Sequence, residues 1–372
     1  VTGWTAWADE ECARVAEAGQ WRAVHDIDLP PSATFASNDY LGLSQHPAVV
    51  AAAHAALDRW GAGAGSARLV AGSRPVHSEL ETELADWKGT EAALLFPTGY
   101  AANLGVLTAF GPAGALILSD ERNHASIVDG CRLARADVAV YDHADLSHLA
   151  DLMSSDADRS RPTVVVTDTV FSMDGDVAPV DKLARLCADH GALLVLDEAH
   201  AVLGPHFDPT NPDLDGPDLD RLEYLRVGTL SKTLGSVGGF VAGSRRFVEL
   251  LGNRARSFVF TTAPAPADAA AALAALRILR SEEGERLVAR LRGHVAAVAG
   301  PAHPSPIVPV IVGDEQAALD ASAALAARGL FVPAIRPPTV APGTSRLRVS
   351  LSAAHTDEQV ARLNEALRAL AS

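Results

Sequence analysis

Seven short apolar runs lie between residues 92 and 244, and they constrain the fold of this chain more than any other feature. They read AALLF (92–96), ALILS (115–119), VAVYD (138–142), TVVVTD (163–168), ALLVLD (192–197), YLRVGTL (224–230) and GGFVAGS (238–244). Several lack the apolar–polar alternation of a half-exposed strand, as strands covered on both faces do. Helical spacing accompanies them. SELETELADWK (78–88) puts Leu80, Leu84 and Trp87 on one face, and PVDKLARLCADHG (179–191) opens on proline and closes on glycine. Strands alternating with helices predict an α/β domain around a mostly parallel seven-stranded sheet. Prolines in TTAPAPAD (261–268) break the pattern. A long alanine- and leucine-rich helix, PIVPVIVG, a helix near 316–328, LFVPAI, RLRVSLS and a last helix from about 357 follow, which predicts a smaller α+β domain. The expected division is an N-terminal arm over 1–45, a large domain over 46–268 and a small C-terminal domain over 269–372.

Composition narrows what such a domain does. The chain of 372 residues is 48% hydrophobic and 21% charged, the balance of a globular protein. Its net charge of −15 disfavours nucleic acid or an anionic membrane as a main partner. No apolar run is long enough to span a bilayer, and the acidic, amphipathic start VTGWTAWADEECARVAEAG does not read as a signal peptide. Cys12, Cys131 and Cys187 are far apart, so neither a disulfide framework nor a cysteine metal site is expected, and a reducing cytoplasm suits them.

The chain has only three lysines, Lys88, Lys182 and Lys232, against 28 arginines. Where arginine is the default cation, a lysine invites the question of what arginine cannot do, which is to lose a proton and act as a nucleophile. Lys88 and Lys182 fall in charged, helix-like contexts. Lys232 stands alone among small residues in GTLSKTLGSVGGF (228–240), just past an expected strand. In open parallel sheets ligands bind beyond the carboxyl ends of the strands. Asp197 ends ALLVLD, Ser172 follows TVVVTDTVF, and Gly99 follows AALLFPT where GYAANLGVL should begin a helix. A helix start with glycine offers free N–H groups and a positive dipole end to a phosphate, and Thr229 adds a hydroxyl. A phosphate cradle, a strand-end carboxylate and a lysine are the needs of pyridoxal phosphate (PLP): the lysine bonds its aldehyde and the carboxylate keeps its ring nitrogen protonated.

Each residue also has an ordinary explanation. Lys232 alone is a solvated loop lysine, Asp197 alone a capping residue, and His124 an ordinary residue at a helix start. Their convergence at the strand ends favours the chemistry. VLDEAH (195–200) also spells a helicase motif, but that reading requires GxxxxGK[ST], and the lysines follow Trp87, Asp181 and Ser231, never glycine. A zinc hydrolase is set aside because HExxH and a cysteine cluster are both missing from the sequence.

FASNDYLGLSQHP, GSARLVAG, HSELETELADW, PTGYAANLGVL, NHASIVDG, DTVFSMDGDVAP, LDEAH and GTLSKTLGSVGGF occur in that order over nearly the whole chain. In this the sequence resembles the α-oxoamine synthases, fold-type I PLP enzymes that condense an amino acid with an acyl thioester and release carbon dioxide. AIRPPTVAPGTSRLRVSLSAAHT (334–356) most resembles the branch of that family that serves biotin synthesis. That likeness implies L-alanine and a pimeloyl thioester on coenzyme A or acyl carrier protein as partners. The resemblance implies that Lys232 bonds the cofactor, Asp197 faces its ring nitrogen, His200 its ring oxygen, and His124 stacks on the ring. It implies that Ser172, Thr229 and the Gly99–Tyr100 backbone hold the cofactor. Arg348 would grip the amino-acid carboxylate, a bidentate task suited to guanidinium, and Arg22 and Thr339 would bind substrate. It also implies a homodimer with Thr261 and Thr262 reaching a neighbouring subunit's phosphate.

One stretch departs from the family. After LDEAH the chain continues AVLGPHFDPTNPDLDGPDLD, whose acidic, proline-rich part (205–220) is expected to be a surface loop. Two other functions stay open beside the alanine-using synthase: a sibling that uses glycine or serine with another acyl chain, and a catalytically silent binding protein on the same fold.

Overall fold

A computed structural model of the chain describes residues 3–22, 24, 26–27, 33–155, 161–208 and 221–370. All seven expected runs are strands of one sheet, with ends shifted by no more than one residue: β1 (Ala92–Phe96), β2 (Leu116–Asp120), β3 (Asp137–Tyr141), β4 (Thr163–Asp168), β5 (Leu193–Asp197), β6 (Tyr224–Thr229) and β7 (Gly239–Gly243). Their spatial order is β1-β7-β6-β5-β4-β2-β3. β7 runs against both of its neighbours, and the other ladders are parallel. The carboxyl ends of β4, β5 and β6 therefore reach the same edge, carrying Asp168, Asp197 and Thr229.

The runs lack alternation because both faces of the sheet are covered. Val164 and Val166 of β4 pack with Val106 and Ile127, from the helices Gly99–Phe110 and Ala125–Leu133. Val165, between them, packs on the other face with Leu183 and Ala184 of the helix Val180–His190. Each such side chain contributes roughly 1.5–3 kcal/mol by leaving water. Pro179 stands just before that last helix rather than on its first turn, and Gly191 closes it with a left-handed φ of 62°. In the helix Pro75–Lys88, Leu80 and Leu84 are fully buried and Trp87 is half-buried, as the spacing predicts.

Lys88 does end a charged helix, but it is not at the surface. It is buried, its ammonium lies 2.8 Å from Glu198 Oε2 and sits 3.7 Å over the Trp87 ring. Arg226 reaches the other Glu198 oxygen at 2.7 Å, so one carboxylate holds two buried cations. Burial and the neighbouring Arg226 charge act against the Lys88 ammonium; burial is the larger cause, and its pKa is lowered.

The C-terminal part carries a three-stranded antiparallel sheet, β8 (Ile307–Gly313), β9 (Ala334–Ile335) and β10 (Ser345–Ser350), in the order β8-β10-β9. The helices Glu282–Ala299, Glu315–Ala326 and Asp357–Leu370 accompany it. Strand side chains alternate between faces. Leu347 and Val349 of β10 join the apolar cluster that also holds Leu41, Leu43, Leu230 and Leu234. Arg346 and Arg348 consequently take the opposite face, toward the segment 172–174. The cluster is continuous from Phe35 through the helix Pro266–Leu279 to Leu363.

Of the acidic stretch 205–220, residues 209–220 lie outside the described residues. Its described beginning is anchored by Phe207, which is buried with its ring 5.1 Å from that of Tyr224.

Candidate active site

Lys232 lies in the loop between β6 and β7 and is largely buried. Its Nζ is 2.7 Å from His200 Nε2. His200 Nδ1 is 2.6 Å from the Tyr40 hydroxyl, which in turn lies 3.2 Å from Asn38 Oδ1. One proton arrangement satisfies the whole chain. The lysine donates to Nε2, Nδ1–H donates to Tyr40, and Tyr40 donates to Asn38, which also accepts from Arg348 Nη2 at 3.3 Å. Burial, with the Lys232 and Arg348 charges nearby, drives the His200 pKa well below its usual value, so the imidazole is neutral. Burial pushes the Lys232 amine down to about 8, against the pull of Asp197 and Asp168. Burial also raises the Tyr40 phenol to about 12, so it stays a hydroxyl.

Asp197 ends β5 and is held on both oxygens. Asn103 Nδ2 donates to Oδ2 at 2.7 Å and the Ala199 N–H donates to Oδ1 at 2.9 Å. Asn103 Nδ2 also donates to Ser126 Oγ at 2.9 Å, which fixes the amide orientation and leaves its buried Oδ1 without a hydrogen-bond partner among the described residues. Ser126 Oγ is 2.8 Å from His124 Nδ1. His124 caps the helix Ala125–Leu133, its Nδ1 accepting from the Ser126 N–H at 3.2 Å, and its ring lies near Asp197 and Lys232. Burial lowers its pKa, with Asp197 opposing and Lys232 assisting.

Asp168 was not singled out by the sequence reading, although it ends its strand as Asp197 does. The two are register partners across the β4–β5 ladder. Asp168 Oδ2 accepts from the His124 N–H at 2.6 Å, which sets the start of that histidine's helix. Burial, then the Asp197 charge, raises its pKa well above the carboxylate range. Tyr40, Asn38 and Asn103 were also missed as individuals. Their signal was position within FASNDYLGLSQHP and PTGYAANLGVL, where only contacts across the fold reveal a role.

Gly99 opens the helix Gly99–Phe110, capped by Thr98, whose Oγ1 accepts from the Ala101 N–H at 3.0 Å. A Cβ on Gly99 would stand 3.3 Å from the Thr229 side chain, so the helix start and Thr229 are neighbours. Gly239 lets β7 pack directly on the Thr98 backbone, since a Cβ there would meet Thr98 O at 2.4 Å. Thr229 Oγ1 contacts Ser231 Oγ at 2.7 Å and Gly238 O at 3.0 Å. Tyr100 is partly exposed at the rim, with its hydroxyl on Asp129 and its ring 6.4 Å from that of His124.

Arg348 is buried on β10. Its Nε donates to Ser172 O at 2.5 Å and its Nη1 to Ser350 Oγ at 2.7 Å, besides the bond to Asn38. Guanidinium has five N–H groups, so one on each terminal nitrogen remains for a carboxylate. Ser172 meets this network through its backbone carbonyl. Arg22 and Thr339, 317 residues apart, meet at the crevice mouth, with Nη2 donating to Oγ1 at 3.0 Å. Thr261 and Thr262 follow the helix Arg256–Val259, the first half-buried and the second exposed.

The crevice thus collects an amine of lowered basicity, two strand-end aspartates, a neutral histidine and a helix N-terminus. The chain belongs to the aminotransferase class I and II family, whose profile matches residues 32–367, and its sheet is that of a fold-type I transferase. Among its relatives is an 8-amino-7-oxononanoate synthase of Methylobacterium sp. (strain 4-46), 51% identical over 338 residues, 90% of this chain and 86% of that one. Another, from Anaeromyxobacter dehalogenans, carries the same name and is 52% identical over 348 residues, 90% of this chain and 85% of that one. A solved serine palmitoyltransferase from S. paucimobilis with bound PLP is 28% identical, with a TM-score of 0.86 over 98% of this chain and 96% of that chain.

Proposed function

We propose that this chain is a PLP-dependent 8-amino-7-oxononanoate synthase: it joins L-alanine to a pimeloyl thioester, releasing carbon dioxide and the thiol, in biotin synthesis. The observation that carries this reading is the meeting of Lys232, Asp197 and Arg348 in one crevice, in a chain about half identical to synthases of that name. The residues fit PLP. The helix start at Gly99, where a Cβ would crowd the Thr229 side chain at 3.3 Å, suits a phosphate at a helix N-terminus. Lys232 faces a neutral imidazole rather than a carboxylate, so its amine is available to an aldehyde. When bound, PLP supplies an electron sink for the carbanion at the alanine Cα.

The protein's own groups do the rest. Asp197, fixed by Asn103 and Ala199, presents a carboxylate that holds a proton on the ring nitrogen of the cofactor. His200 is neutral, so it accepts and donates hydrogen bonds in the site without adding charge, and His124 stands beside Asp197. Arg348 orients the alanine carboxylate through its two remaining N–H groups. Lys232 takes the Cα proton at Nζ and later returns one, a task matched to an amine poised at about 8. Arg22 and Thr339 contact the acyl donor at the mouth. A homodimer completes the reading: exposed Leu69, Val70 and Phe260 flank Thr261, and the segments 66–72 and 256–263 are joined by the Ala263 N–H donating to Ser66 O at 3.0 Å. A cytoplasmic setting is part of the same reading; no helix among the described residues is long and apolar enough to cross a membrane.

Incubation of the PLP-loaded protein with L-alanine and a pimeloyl thioester tests this. The expected result is 8-amino-7-oxononanoate with one carbon dioxide and one thiol per turnover, lost in Lys232→Ala, which still binds PLP without a covalent bond. Normal turnover by Lys232→Ala overturns the reading.

A further inference from the structure

Beside the catalytic crevice lies a cavity of about 680 Å3 between the ends of β2 and β4 and the segment 337–346. It shares Asn123 and Ser172 with the site already described: Asn123 precedes His124, and Ser172 holds Arg348. Met173 and Pro338 give it an apolar wall, and Thr339, the partner of Arg22, stands at its side. Two arginines line it, Arg122 and Arg346.

These two cations are not equivalent. Arg346 is buried and committed: it pairs with Asp174, bonds the Thr344 carbonyl at 2.9 Å and its hydroxyl at 3.1 Å, and lies 3.4 Å from Met173 O. Arg122 is half-exposed, and among the described residues its guanidinium has only two loose ionic neighbours, Asp174 at 3.6 Å and Glu121 at 3.9 Å. Both distances exceed a hydrogen bond. Asp174 is already engaged by Arg346, and Glu121 is itself half-exposed. Arg122 is thus the cation in this cavity with capacity for a new anion. Its backbone is fixed, its N–H donating to Asp120 Oδ1 at 2.9 Å.

We propose that Arg122 reads the distal carboxylate of the acyl donor, and so selects a dicarboxylic acyl chain over a simple fatty one. This rests on the synthase reading above and deepens it. The thioester carbon must reach the alanine Cα near Lys232. The methylenes then follow the apolar wall of Met173 and Pro338, and the far carboxylate meets a guanidinium rather than water.

The test compares kcat/KM for a pimeloyl thioester with that for a heptanoyl thioester, the same chain without the distal carboxylate, at saturating L-alanine. Wild type should prefer the pimeloyl donor. Arg122→Met should lower the pimeloyl-to-heptanoyl ratio by about tenfold, the worth of a charge-assisted hydrogen bond. Arg122→Lys should recover part of it. A ratio changed by less than about twofold in Arg122→Met, or an equal loss with both donors, overturns the assignment of Arg122 while leaving the synthase reading intact. A wild type with no preference for the pimeloyl donor overturns both.

Discussion

Replacing Lys232 by methionine should stabilise the cofactor-free protein, by an amount that depends on pH. Lys232 is largely buried, and burial lowers its amine from the ordinary 10.5 to about 8. A shift of that size is worth about 3 kcal/mol of unfavourable free energy when the folded protein carries the ammonium. The sign follows from the protons bound. Between about pH 8 and 10.5 the unfolded chain keeps the proton and the folded one has lost it, so wild-type stability rises with pH across that window. Methionine fills a similar volume and has no proton to lose. Its advantage should be full, about 3 kcal/mol, below pH 8, shrink through the window and vanish above it. For a chain of this size that is about 4 °C in Tm. Thermal scans of PLP-free wild type and Lys232→Met from pH 6 to pH 10 measure it. Any packing change adds a constant offset, so the change of the difference with pH is the reading. A difference independent of pH would refute the claim that a costly buried ammonium is built into the empty site.

Other predictions follow from the same geometry. Asp197→Asn should lower turnover of the PLP-loaded enzyme by roughly a hundredfold or more, because it removes the buried charge that faces the cofactor cation. Asp168→Asn should cost far less, because burial and the Asp197 charge raise the Asp168 pKa and so favour the neutral form that asparagine imitates; steady-state kinetics of the two variants side by side decide it. Arg348→Lys should raise the alanine KM by about tenfold while PLP affinity changes little, since lysine cannot offer two parallel N–H groups; absorbance titration of PLP separates the effects. Glu198→Gln should destabilise the fold by about 3–5 kcal/mol, because Lys88 and Arg226 are then buried together without their shared carboxylate; urea unfolding measures it.

The sheet was legible because its physics is local. Runs such as TVVVTD have to be covered on both sides, and the seven runs became seven strands. The antiparallel direction of β7 was not legible, since a strand's direction depends on how the loop after Lys232 doubles back. The site was legible where residue type and strand end coincide, as at Asp197, Lys232 and Gly99. Asp168 carried the same signal and was passed over, because one carboxylate was enough for the chemistry. Tyr40, Asn38 and Asn103 act through partners far away in the chain: Asn103 reaches Asp197 across 94 positions and Tyr40 reaches His200 across 160. Lys88 shows the reverse failure. A lysine at the end of a charged helix reads as solvated, and only the packed fold reveals Glu198 and Arg226 around it.

The account's central claim is that this site condenses L-alanine, held by Arg348, with a pimeloyl thioester. The most direct measurement is a competition: the PLP-loaded protein with equal L-alanine, glycine and L-serine, a pimeloyl thioester, and mass spectrometry of the products. The account predicts one dominant product, carrying the carbons of alanine. A dominant glycine or serine product would contradict it and assign the same lysine chemistry to a sibling reaction.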